Sequence, residues 1–263
     1  MIDSKKSIDN PILKAEHLGI SFGGLKAVNE FNFKLYKGEL VGLIGPNGAG
    51  KTTIFNLLTG VYKPTVGKIF FKDKLMNGKK SYQFVTDGIA RTFQNIRLFK
   101  KMTVLENIKV AFDKDIKYKL FGAILRSKQY REEEKQIEIE ARNLLKIFNM
   151  EDKANYIADN LPYGQQRKLE IARALATGME VLLLDEPAAG MNPTETAELL
   201  DCINVIRKRF KIAILLIEHD MSLVMNVCER IIVIDYGTII AKGLPNEIAN
   251  NQRVIEAYLG VDE

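Results

Sequence analysis

Residues Gly45-Pro46-Asn47-Gly48-Ala49-Gly50-Lys51-Thr52 form a glycine-rich turn closed by a lysine and a hydroxyl side chain, a pattern that few folds accommodate. The flanks fit its usual setting. Leu40-Val41-Gly42-Leu43-Ile44 reads as a short buried strand, and Thr53-Ile54-Phe55-Asn56-Leu57-Leu58 as the opening of a helix. A strand, a glycine turn and a helix start make an anion site: backbone N–H groups converge on phosphate oxygens, and the helix dipole adds positive potential. Lys51 would reach the β- and γ-phosphates, and the Thr52 hydroxyl would ligate Mg²⁺. A nucleoside triphosphate site is therefore expected. The loop alone leaves open what the triphosphate is used for.

With 263 residues, 46% hydrophobic, the chain can bury a sizeable core. Charged residues make up 27%, close to the globular average, which argues against wholesale disorder. The net charge of +5 is spread among interleaved acidic and basic residues, so no concentrated basic face for nucleic acid is expected. Cys202 and Cys228 fall in segments read as helical, in no metal-ligand spacing, and are expected to be buried thiols in a reducing compartment. No apolar run approaches the roughly 20 residues that span a bilayer. Met1-Ile2-Asp3-Ser4-Lys5-Lys6 carries no apolar stretch behind it, so no signal peptide is expected.

Residues 12–36 alternate loosely between turn signals and predict antiparallel strands, with a short hairpin around Lys68-Ile69-Phe70-Phe71. From 95 to 165 the period becomes helical, with Ile137, Ala141, Leu144, Leu145 and Phe148 on one face. Glu138 and Arg142 are spaced for an outer-face ion pair. The charged stretch Asp113 to Gln136 reads as an excursion on this helical subdomain. Val181-Leu182-Leu183-Leu184, Ile212 to Ile217 and Ile231-Ile232-Val233-Ile234 are apolar runs that suit a parallel sheet covered on both faces. Glu195 to Arg209 is helical between the first two. The expected fold is α/β: a P-loop core with a mostly parallel sheet, an N-terminal antiparallel β subdomain and an inserted helical subdomain. The pattern divides the chain as 12–94, 95–165, 166–245 and a C-terminal helix at 246–263.

Two carboxylates, Asp185 and Glu186, close the run Leu182-Leu183-Leu184. Ligands of open α/β sheets bind at the carboxyl ends of strands. Asp185 would hold Mg²⁺, and Glu186 would polarise the water that attacks the γ-phosphate. Ile217-Glu218-His219-Asp220 repeats the arrangement at the next strand end, where His219 would donate to the γ-phosphate. His17 has no such setting and reads as structural.

Leu161-Pro162-Tyr163-Gly164-Gln165-Gln166-Arg167-Lys168-Leu169-Glu170-Ile171-Ala172-Arg173-Ala174-Leu175 resembles the signature segment of ABC-transporter ATPase subunits. The order of aromatic residue, phosphate loop, glutamine loop, signature, Asp-Glu strand, D-loop and histidine matches that family over essentially the whole chain. The resemblance implies an ATPase that takes ATP and Mg²⁺. Gly45, Pro46, Asn47, Gly48, Ala49, Gly50, Lys51, Thr52 and Thr53 would hold the phosphates, and Phe22 would stack on adenine. Gln94, in Arg91-Thr92-Phe93-Gln94-Asn95, would touch Mg²⁺ and the attacking water. Thr52, Gln94 and Asp185 thus make up the implied metal set, and Glu186, His219, Gln94 and Lys51 the catalytic one. Tyr163, Gly164 and Gln165 would act on the ATP held by a second ATPase subunit, either a different chain or a second copy.

Tyr163-Gly164-Gln165-Gln166, Pro187-Ala188-Ala189-Gly190-Met191-Asn192-Pro193, Ile217-Glu218-His219-Asp220-Met221 and Ile255-Glu256-Ala257-Tyr258-Leu259-Gly260 are similar to the longer ATPase subunit of branched-chain amino-acid importers. This implies two transmembrane permease subunits, a substrate-binding protein acting through them, and a peripheral position on the cytoplasmic face of the membrane. Two positions depart from the general family pattern: Pro162 stands where a serine would donate to the γ-phosphate, and Asn192 where many members have aspartate. Urea, another amino acid or an exported lipid remain alternative cargoes. A nucleic-acid ATPase of the same superfamily and a P-loop regulator without turnover are the rival readings.

Overall fold

The computed structural model describes residues 10–115, 124 and 126–259. Met1 to Lys6, part of the charged excursion and Gly260 lie outside them. Contacts divide the chain into two units, one of residues 1–91, 180–187 and 207–263, the other of 92–179 and 188–206. The helical unit therefore includes 166–179 and 188–206, stretches that the sequence pattern groups with the P-loop core.

The first unit contains two sheets. Strands β1 (Leu13–Phe22), β2 (Leu25–Leu35), β4 (Val66–Phe71) and β5 (Lys74–Leu75) pair antiparallel in the order β2-β1-β4-β5, as the alternating pattern predicts. The larger sheet runs β10-β9-β3-β8-β7-β6. Its members are β3 (Leu40–Ile44), β6 (Ile89–Arg91), β7 (Val181–Asp185), β8 (Ala213–Ile217), β9 (Arg230–Asp235) and β10 (Thr238–Gly243). All neighbours are parallel except β10, which pairs antiparallel with β9.

Every residue of β3, β7 and β8 is buried. That explains why these runs are apolar without alternation: each face needs its own cover. One face presents Val41, Leu43, Val181, Leu183, Leu215 and Ile232 to a core shared with Phe31 and Phe33 of β2. Ile54, Phe55, Leu57 and Leu58 of helix α1 (Lys51–Leu58) complete that core. Each such aliphatic or aromatic side chain contributes about 1.5–3 kcal/mol when taken fully out of water. On the opposite face, a Cβ at Gly42 would lie 2.9 Å from Val224 and 3.1 Å from Cys228 Sγ. The absent side chain lets α7 (Met221–Val227) press close against the central strand.

The second unit is built on α3 (Val104–Lys109), α4 (Lys128–Ile147), α5 (Tyr163–Ala176) and the first part of α6 (Pro193–Phe210). Thr103 caps α3 reciprocally with Glu106, and Ser127 caps α4. Ile137, Ala141, Leu144, Leu145 and Phe148 are all buried, so α4 turns inward the face that its periodicity marks. Glu138 and Arg142 pair at 2.9 Å.

The sequence pattern predicts helix at both cysteines. Cys202 lies in α6, but Cys228 follows α7 in extended backbone at φ −84° and ψ 139°. The apolar spacing of Leu223 and Val224 continues into Cys228, yet the chain has already turned toward β9. Both thiols are buried, and burial pushes Cys228 from 9.0 up to about 12. Neither cysteine should react with a thiol reagent at pH 8 until the protein is unfolded in urea. Because the Cys228 thiol is raised in the fold, its contribution to stability is complete below pH 9 and is lost as pH climbs toward 12. Urea titrations at pH 8 and pH 10 check the sign.

Candidate functional site

In the first unit, β3 ends at Ile44 and the chain turns at Gly45. A Cβ on Gly45 would stand 2.0 Å from the Ile234 carbonyl oxygen, so only glycine fits between the ends of β3 and β9. Gly50 enters α1 in the left-handed region at φ 101°, with no side chain capping the helix. No side chain ties up the N–H groups at the start of α1, and a helix start of that kind suits an anion. Thr52 is exposed and Thr53 half-buried at this start.

Lys51 is buried, and its Nζ donates to the carbonyls of Gly45 at 2.7 Å and Pro46 at 2.9 Å. Burial lowers its pKa, while Glu186 and Asp185 oppose that shift. An ammonium has three donors, and the loop carbonyls take two of them. The lysine is held across its own loop.

Asp185 ends β7 with its side chain 6% exposed. Its Oδ2 accepts from Arg91 Nη2 at 2.6 Å, and Arg91 Nη1 donates to Asn56 Oδ1 of α1 at 2.6 Å. Glu186 has the uncommon backbone φ of 47° for a residue with a side chain. Such a conformation costs on the order of 1–3 kcal/mol and persists only where its surroundings enforce it. Its N–H donates to Ile217 O at 2.9 Å, and its carboxylate meets His219 Nε2. The ends of β7 and β8 therefore bring together the two side chains expected to work on the attacking water and the γ-phosphate. Phe22 is half exposed and stands edge-to-face with Tyr62, ring centroids 5.3 Å apart.

The second unit carries Gln94 and the signature residues. Gln94 is exposed, and its carbonyl accepts from Arg167 Nη2 at 2.6 Å. Arg167 is fully buried and also donates to Phe93 O at 2.6 Å and Glu170 at 2.7 Å. Burial pushes the Glu170 carboxyl up, and Arg167 counters it. Tyr163, Gly164 and Gln165 begin α5, as expected, and no side chain caps that start because Pro162 precedes it. A Cβ on Gly164 would lie 3.1 Å from Glu195 Oε1. Asn192 has a clear local role: its Oδ1 accepts from Glu195 N at 2.9 Å, and Glu195 accepts from Asn192 N at 3.1 Å. Asparagine caps a helix as well as aspartate does.

The family model described as "ABC transporter" matches residues 28–189, more than half of the chain. The chain belongs to the ABC transporter family. A second model, "Branched-chain amino acid ATP-binding cassette transporter", matches residues 238–263 of the cassette. Escherichia coli K12 LivG, a high-affinity branched-chain amino acid transport ATP-binding protein, is 48% identical over 96% of this chain and 99% of its own length. BraF of Pseudomonas aeruginosa, similarly named, is 44% identical over the same shares. The crystal structure of the ADP conformation of an ATP-binding cassette of an ABC transporter superposes with a TM-score of 0.82 at 30% identity. It covers 96% of this chain and 100% of that one. The cassette is a nucleotide-binding ATPase with the α/β fold of its family.

Three residues at these sites escape sequence reasoning. Arg91 and Arg167 both lie inside segments that the motifs mark, but only their neighbours carry family roles. Tyr258, in the C-terminal helix α9 (Gln252–Leu259), has its hydroxyl hydrogen-bonded to the backbone of Gly45. Burial raises its pKa. The signal for Arg91 and Arg167 is an arginine where an apolar residue would suit burial, and Tyr258, exposed on α9, gives none.

Replacing Arg167 with methionine should cost the cassette about 3–5 kcal/mol, because Glu170 and the carbonyls of Phe93 and Gln94 lose a buried cationic partner. Urea unfolding measures the loss, and limited proteolysis should show new cleavage near Gln94. An unchanged midpoint would show that the Arg167 contacts carry no net stability.

Proposed function

We propose that the cassette is the ATP-binding and hydrolysing motor of an importer for branched-chain amino acids. The observation that carries this is the end-to-end similarity to LivG and BraF, joined to a C-terminal match to the branched-chain family model. Two cassettes, this one with a different ATPase chain or a second copy, would sandwich ATP. Two permease subunits would take up the motion, and a substrate-binding protein would deliver the amino acid. Among the described residues no helix is long and apolar enough to cross a membrane. A peripheral position at the cytoplasmic face, held by the permeases, fits that finding.

In this reading each residue has a task set by its position. Backbone N–H groups of the glycine-rich loop and of the first turn of α1 receive the phosphates, and Lys51 adds its remaining donor. Phe22 offers its exposed ring to adenine. Glu186 orients the attacking water and draws its proton, while His219 holds the Glu186 carboxylate and then donates to the γ-phosphate. Gln94 reports the state of the nucleotide to the helical unit. The uncapped start of α5, with Tyr163, Gly164 and Gln165, faces the ATP of the partner cassette.

The Thr52 hydroxyl, the Gln94 side-chain oxygen and the Asp185 carboxylate are hard oxygen donors that suit Mg²⁺. No cluster of three or more His, Cys, Asp or Glu side chains able to hold a metal occurs among the described residues. That matches a cation that depends on phosphate oxygens for its remaining ligands. Bound there, Mg²⁺ would supply the positive charge that stabilises phosphoryl transfer.

Glu186→Gln should slow ATP turnover by about 10²–10⁴ with ATP still bound, the range for loss of a positioned base. Lys51→Ala should instead weaken nucleotide binding in a fluorescent-ATP titration. Unchanged turnover in the first variant would remove Glu186 from the base role. For the cargo, tagged Glu186→Gln protein is solubilised from native membranes with ATP, and its companions are identified. Two multi-span proteins and a second ATPase are expected, together with uptake of labelled leucine that depends on the intact cassette. A single export-type membrane protein would overturn the cargo assignment.

A further inference from the structure

The first unit contains a cation that the phosphate chemistry does not use. Arg91 is the last residue of β6, and its side chain is 6% exposed, as is that of Asp185. The guanidinium fork spans two elements, with one nitrogen on Asn56 of α1 and the other on Asp185 of β7. Its Cζ lies over the Phe55 ring, 5.4 Å from the centroid. A fork fixed at both tips and covered by an aromatic ring has little freedom to leave. The Oδ2 atom of Asp185 accepts from Arg91 at 2.6 Å, which tethers the carboxylate. Lys51 lies within electrostatic reach of both Asp185 and Glu186. The site thus sets two fixed cations, Arg91 and Lys51, against two carboxylates.

We propose that Arg91 is a positioning residue that keeps Asp185 from holding a divalent cation by itself, so that metal enters only together with the negative charge of the nucleotide. The inference rests on the reading of Asp185 as a metal ligand. A bare dication arriving beside Arg91 and Lys51 meets carboxylates that are already neutralised. Metal accompanied by phosphates brings its own compensating charge. The same tether holds the Asp185 carboxylate at one position, so ordering it is not deferred to the moment of binding.

The test uses Mn²⁺ as the probe, read by electron paramagnetic resonance with and without ADP. Wild-type protein should bind Mn²⁺ weakly alone and strongly with ADP. Arg91→Met should bind Mn²⁺ without nucleotide about tenfold more tightly, a change of the size that loss of one nearby like charge produces. Arg91→Lys keeps the charge and should stay within about twofold of wild type. Nucleotide-free affinity that is equal in Arg91→Met and wild type overturns the proposal. Asp185→Asn separates the two layers: if it leaves Mn²⁺·ADP binding intact, the ligand reading of Asp185 fails and the proposal with it. If it weakens that binding while Arg91→Met changes nothing, the proposal alone fails. Should the methionine variant not fold, the wild-type protein still answers. The Arg91 side-chain NMR signal, assigned by its loss in Arg91→Lys, should shift with Mg²⁺·ADP and not with Mg²⁺ alone, and an equal shift with both would sink the idea.

Discussion

A strand paired along both edges and covered on both faces cannot shift, and β3 is in that position. Leu43 is in register with Ile217 on one side and Ile232 on the other, and all five residues of the strand are buried. The place where β3 stops is therefore fixed by bonds that have nothing to do with phosphate. Gly45 follows directly, so close to Ile234 that no side chain fits. The geometry of the anion loop is inherited from the sheet, and so is that of Asp185 and Glu186, one strand beyond β8. Order at the site is a property of the core.

Arginines play a parallel part in each unit. Arg91 ties a strand end to α1 and to the carboxylate of β7, and Arg167 ties the backbone of Phe93 and Gln94 to α5. Both are anchored through planar forks rather than point charges, which fixes direction as well as distance. Only Thr92 and Phe93 separate Arg91 from Gln94, so the glutamine segment starts from one anchored arginine and is held by another. That arrangement gives an exposed glutamine a fixed backbone.

The sequence makes the sheet readable because burial on both faces keeps Leu40–Ile44, Val181–Leu184, Ala213–Ile217 and Ile231–Ile234 apolar. It makes the loop readable because glycine, lysine and threonine at those spacings have few other uses. The antiparallel strands and the buried face of α4 follow from their periods. What escapes is contact between residues far apart along the chain. Arg91 and Asp185, or Arg230 and Glu39 at 2.7 Å, carry no local mark that they meet. Cys228 is misread as helical because apolar spacing persists past the point where α7 ends. The extent of the helical unit is hidden for a related reason: 188–206 returns to it after β7, and a pattern read along the chain cannot show a return. Asn192 looks like a departure from its family until its bond to Glu195 shows it capping α6.

The sheet order also sets a schedule for synthesis. The strands β1, β2, β4 and β5 are all made by Leu75, so the antiparallel sheet can pair soon after it leaves the ribosome. Strand β3 must wait, because both of its neighbours come late: β8 begins at Ala213 and β9 at Arg230. At about 5–20 residues per second, that delay is on the order of ten seconds or more. During this interval a wholly apolar strand has neither edge satisfied. The nascent cassette therefore carries Leu40–Ile44, buried in the finished fold, as an unpaired apolar segment through much of its own translation.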